Sequence, residues 1–145
     1  MPVPGKMGRI PNTVAVCIDE TENQACAGRL YHFYSAEPEH FSDVAELINL
    51  VTALMSATKF PQATIQTRSF KKTKTDTLKL DIDTEKKILS IDQLVEKRGQ
   101  VATFLFCITS RQNANWQGDL YNPVSDLNGS FESDIELLNI IRSAI

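Results

Sequence analysis

One stretch of the chain occurs twice, and this constrains the fold more than any other feature. Residues 13–55 and 103–145 align without a gap at an offset of 90, with 12 identities in 43 positions. Thr13, Cys17, Ile18, Asn23, Gly28, Leu30, Tyr31, Ser35, Phe41, Glu46, Leu47 and Asn49 meet Thr103, Cys107, Ile108, Asn113, Gly118, Leu120, Tyr121, Ser125, Phe131, Glu136, Leu137 and Asn139. Most other positions pair apolar with apolar or polar with polar. The pattern reads as an internal duplication, in which each unit leaves an apolar face for the other to cover.

Each copy opens on a continuously apolar run, Thr13 to Ile18 and Thr103 to Ile108, as a strand covered on both faces requires. Polar residues 19–25 and 109–115 follow as hairpin loops, and 26–34 and 116–121 read as return strands. A glycine at the same place in both, Gly28 and Gly118, points to a bulge or a close backbone approach. Asn128-Gly129 reads as a tight turn, with Glu37-Pro38-Glu39 as its counterpart. Asp43-x-x-Glu46 and Ser133-x-x-Glu136 read as capping boxes opening amphipathic helices, and Ser90-x-x-Gln93 as a third. Val44, Leu47, Ile48, Val51, Leu54 and Met55 share one face of the first helix. Ile135, Leu137, Leu138, Ile141 and Ile145 share one face of the second. Between the copies, 63–70 and 77–83 favour strands around the basic turn at 71–76.

The expected architecture is α+β, with duplicated β-β-(β)-α units forming an antiparallel sheet and the helices on one face. The parts are a flexible lead-in (1–12), a first unit (13–57), a connector with strands and a short helix (58–102) and a second unit (103–145), all in one compact domain. Its repeats suggest a fused dimer related by a pseudo-two-fold axis.

Composition, 42% hydrophobic and 23% charged over 145 residues, is that of a soluble globular chain, and no apolar run reaches the length of a membrane span. The proline-rich start lacks an apolar core and is not read as a signal peptide. Three cysteines without a CxxC point to reduced thiols in a cytoplasm. The net charge of −3 is segregated: the first copy carries −6, the second −3, residues 56–102 carry +4 and residues 1–12 carry +2. Acidic copies flanking a basic insert are expected to pair with it in the fold.

Arg111-Gln112-Asn113-x-Asn115-Trp116-Gln117-Gly118, followed by Phe131-x-Ser133-x-x-Glu136-Leu137-Leu138, resembles a small domain found in uncharacterised bacterial proteins. There a Trp-x-Gly strand precedes a C-terminal Phe-x-Ser/Asp-x-x-Glu-Leu-Leu helix. The first copy departs from the pattern, with Cys26 where it has Trp. The resemblance implies a fold and a bacterial origin, and no activity.

No residues here form a recognisable catalytic set, metal site or cofactor loop, so a non-catalytic cytoplasmic binding or regulatory module is expected, with no cofactor. Its working surface is expected at Arg111, Gln112, Asn113, Asn115 and Trp116, since Trp and Arg anchor interfaces. The partner is then a protein or a second copy, with no membrane involved. The alternative is a nucleic-acid-binding module using Arg68, Lys71, Lys72 and Lys74. A small enzyme comes third, with Cys26 or His32 as its chemistry. Cys17 and Cys107 read as core residues, His32 and His40 as surface histidines, and Glu46 and Glu136 as helix caps.

Overall fold

The computed structural model describes residues 5–21, 26–60, 82–112, 115–125 and 127–143. After a 3-10 turn at Gly5–Gly8 come strands β1 (Val14–Glu20), β2 (Ala27–His32) and β3 (Glu39–Phe41), then helix α1 (Val44–Thr58). The short helix α2 (Ile91–Val95) leads to β4 (Ala102–Gln112), β5 (Asn115–Asn122), β6 (Leu127–Phe131) and helix α3 (Asp134–Ser143). The strands make one antiparallel sheet in the order β3-β2-β1-β4-β5-β6.

The 90-residue spacing recurs in the register. Ala15 lies opposite Leu105, its own counterpart in the alignment, so a local two-fold axis passes between them. Ile18 pairs with Gly28 and Ile108 with Gly118; Gly28 pairs with Phe41 and Gly118 with Phe131. For an antiparallel pair this axis stands perpendicular to the sheet, which keeps α1 and α3 on one face.

Strand alternation sorts the core into two layers. Val14, Val16, Ile18, Leu30, Phe41, Phe104, Phe106, Leu120 and Phe131 form the broad apolar face, all buried, with Phe106 and Phe131 meeting edge to face at 6.3 Å. This is the face for Leu47, Leu50, Val51 and Leu54 of α1 and Leu137 and Ile141 of α3. Ala15, Cys17, Arg29, Tyr31, Thr103 and Leu105 alternate onto the other face. There α2 and its flanks lie: the Lys97 ammonium sits 4.7 Å from the centre of the Tyr31 ring, and Arg29 donates to the Arg98 carbonyl at 2.8 Å. Basic residues of the connector thus rest on the first half, where Lys97 and Lys87 lie over the rings of Tyr31 and Phe33.

Several expectations need correcting. Residues 7–12 are no flexible lead-in. Met7 is buried, Thr13 donates to the Met7 and Ile10 carbonyls, and Asn12 is fully buried. The Asn12 side chain accepts from Ile108 N at 2.8 Å and donates to the Ile108 carbonyl at 3.0 Å, continuing the β1–β4 ladder where the backbone leaves it. Most of 109–115 is strand, because half-buried Thr109, Ser110 and Arg111 extend β4 at the margin of the sheet. Asn128-Gly129 is not a turn but the middle of β6. Asn122 makes the turn instead, its side-chain Oδ1 accepting from Val124 N and Ser125 N. Ile135 is 66% exposed and off the packed stripe of α3. The strand expected at 63–70 and most of that expected at 77–83 lie outside the described residues, and Ile82 and Asp83, which are described, are not in a strand.

The caps form with a variation. Asp43 accepts from Glu46 N at 2.9 Å and Ser133 from Glu136 N at 3.1 Å, yet both glutamates reach back one residue further, to Ser42 N and Glu132 N. Ser90 and Gln93 make the full reciprocal box.

Candidate functional site

At equivalent places in the two halves the bulged central strand meets its return strand and the entry to a helix. The register slips between Ile18 and Glu20 and again between Ile108 and Ser110. The bulges bring backbone against backbone: a Cβ at Gly28 would lie 2.0 Å from the Cys17 carbonyl oxygen, and one at Gly118 the same distance from that of Cys107. Only glycine fits there.

Around the first bulge lies an open cleft of about 430 Å³ lined by Asp19, Glu20, Ala27, Gly28, His40, Phe41, Ser42 and Gln100. Its floor is fixed by an ion pair. Asp19 receives Arg29 Nε at 2.9 Å on Oδ2, and Arg29 Nη2 and the Gln100 amide, each at 3.1 Å, on Oδ1. Arg29 also donates to the Tyr31 hydroxyl at 2.8 Å. The Arg29 hydrogen bonds hold the Asp19 carboxyl below its ordinary range, and the same contact raises Arg29. Both charges therefore persist and largely cancel. Glu20 and His40 are exposed at the mouth.

In the second half a side chain crosses the equivalent place. Gln117 stands where the first half has Ala27. Its carboxamide oxygen accepts from Ser110 Oγ at 2.6 Å, and its nitrogen donates to the Glu132 carbonyl at 3.2 Å. Ser110 and Glu132 are the counterparts of Glu20 and Ser42, so one side chain spans the counterparts of two residues that line the cleft. Ala27 is too short to do so.

The residues singled out in the sequence fall elsewhere. Trp116 is 5% exposed and belongs to the core, paired in register with half-buried Arg111. Asn115 is exposed, Gln112 pairs with it through the backbone, and Asn113 lies outside the described residues. Arg68, Lys71, Lys72 and Lys74 also lie outside them. Cys17, Cys26 and Cys107 are buried and not disulfide-bonded. Burial pushes the Cys17 thiol up to about 11 and raises Cys26 as well, so neither offers a thiolate near neutrality.

His32 is not on the surface. It is 1% exposed, and burial lowers it to about 4, which keeps the ring neutral. Nδ1 accepts from Tyr34 N at 3.1 Å, and Nε2 has no partner among the described residues. Its counterpart, Asn122, makes the same bond to the residue two further on. His32 is thus a turn-forming acceptor. Among the described residues no three His, Cys, Asp or Glu side chains converge as metal ligands would, and no helix is long and apolar enough to cross a membrane.

The cleft escaped sequence reading because it depends on Ala27, a residue with no chemistry of its own. The available signal was the mismatch of Ala27 with Gln117 and of Glu20 with Ser110 at otherwise matched positions. No known protein family, curated protein or solved structure matches the chain.

Proposed function

We propose that the protein is a non-catalytic binding module of the cytoplasm that takes a small polar group into the cleft beside Ala27. One observation carries this. The two halves share register, bulge and helix entry, yet one bridges this place with its own Gln117 carboxamide while the other, with Ala27, has an open cleft there. A volume of about 430 Å³ suits a small molecule or a single side chain. The groups around it support binding over chemistry: Asp19 is committed to Arg29, and the nearby Cys17 thiol stays protonated. Cysteines without a disulfide are consistent with a reducing compartment.

The test is a thermal-shift screen of polar metabolites on the wild type and on Ala27→Gln, whose longer side chain would occupy the cleft. A true ligand at 100 times its Kd stabilises the wild type by about 2.7 kcal/mol, and the variant much less. Ligands that stabilise both proteins equally would refute the cleft as the site.

A further inference from the structure

We infer that the group taken by this cleft is a guanidinium, an inference that rests on the binding reading above. The second half supplies the template. There the occupant is a planar carboxamide, accepting from the Ser110 hydroxyl at one end and donating to the Glu132 carbonyl at the other. A hydroxyl and a carbonyl, donor and acceptor, select a group with one of each.

The first half keeps the carbonyl end, now that of Ser42, and changes the other. Glu20 replaces Ser110, and a carboxylate only accepts. Asp19 replaces Thr109 and likewise presents only acceptor oxygens. A planar occupant bridging the same two ends must therefore donate at both. The guanidinium plane carries N–H groups around its whole edge and pairs with carboxylates through parallel bonds. A carboxamide would set its oxygen against Glu20 or Ser42. A carboxylate or phosphate would be repelled by Glu20, and an ammonium lacks the flat shape. Charge agrees: Arg29 is cancelled by Asp19, which leaves Glu20, without an ion pair among the described residues, as the charge beside exposed His40.

The experiment is a titration of the full chain with methylguanidinium, acetamide, methylammonium and acetate, followed through the backbone amides by NMR. Methylguanidinium should give saturable shifts at Gly28, His40 and Gln100, binding about tenfold or more weakly to Glu20→Gln and not to Ala27→Gln. Tighter binding of any of the other three at those amides would overturn the guanidinium assignment while leaving the cleft as a site. Saturable shifts from none of the four would also overturn it, and the metabolite screen judges the cleft independently. Free arginine and a peptide with one internal arginine, titrated in the same way, separate a small-molecule source from a protein one.

Discussion

Two buried side chains at the ends of strands do what backbone does elsewhere. Asn12 satisfies both polar groups of Ile108 and donates to the Phe60 carbonyl at 2.9 Å. Asn12→Ala strands these groups without water, and chemical denaturation should show a loss of about 3 kcal/mol or more. His32 performs the turn-forming task of Asn122, with a cost that depends on pH. Its folded value of about 4 lies below the ordinary 6.5, so the unfolded chain takes up the proton first. The stabilisation is complete above pH 6.5 and is lost as pH falls towards 4, by about 3 kcal/mol across that window. His32→Asn retains the acceptor and removes the titration. Its stability, lower at neutral pH for lost packing, should change less between pH 6.5 and 4 than that of the wild type; an unchanged acid slope would contradict this role. Neither residue was legible in the sequence: Asn12 sits in a proline-rich stretch that looks unstructured, and a lone histidine at a strand end carries no sign of burial.

Elements were more legible than residues. The apolar runs placed β1 and β4, and the short-oxygen and glutamate spacings placed the starts of α1 and α3, because both signals are local. The glycines announced their bulges correctly, since a Cβ at either would strike a carbonyl. Gly28→Ala and Gly118→Ala should each cost about 4 kcal/mol in an unfolding titration, as the obstacle is backbone that cannot rotate away. Asn128-Gly129 misled because its turn propensity yields to pairing with β5, while Asn122 takes the turn upstream. The match of Gln117 with Ala27 yields a further test. Gln117→Ala should lose about 1–2 kcal/mol with its two hydrogen bonds. Acetamide, which reproduces the missing carboxamide, should restore part of the melting temperature to the variant and none to the wild type.

At the scale of the molecule, the sheet has a two-fold centre between Ala15 and Leu105, and its halves differ beside the cleft at a few positions. Symmetric register makes the comparison meaningful: Ala27 against Gln117 and Glu20 against Ser110 occupy matched surroundings, so each change can be read for its own effect. That inference was out of reach of the sequence, in which Trp116 and Arg111 looked the better anchors until the fold placed Trp116 in the core. The most direct measurement is a crystal structure of the chain soaked with methylguanidinium. It should show the planar cation between the Glu20 carboxylate and the Ser42 carbonyl, with Gln117 undisturbed in the second half. An empty cleft with the cation bound instead beside Arg111 and Trp116 or beside Gln117 would contradict the account.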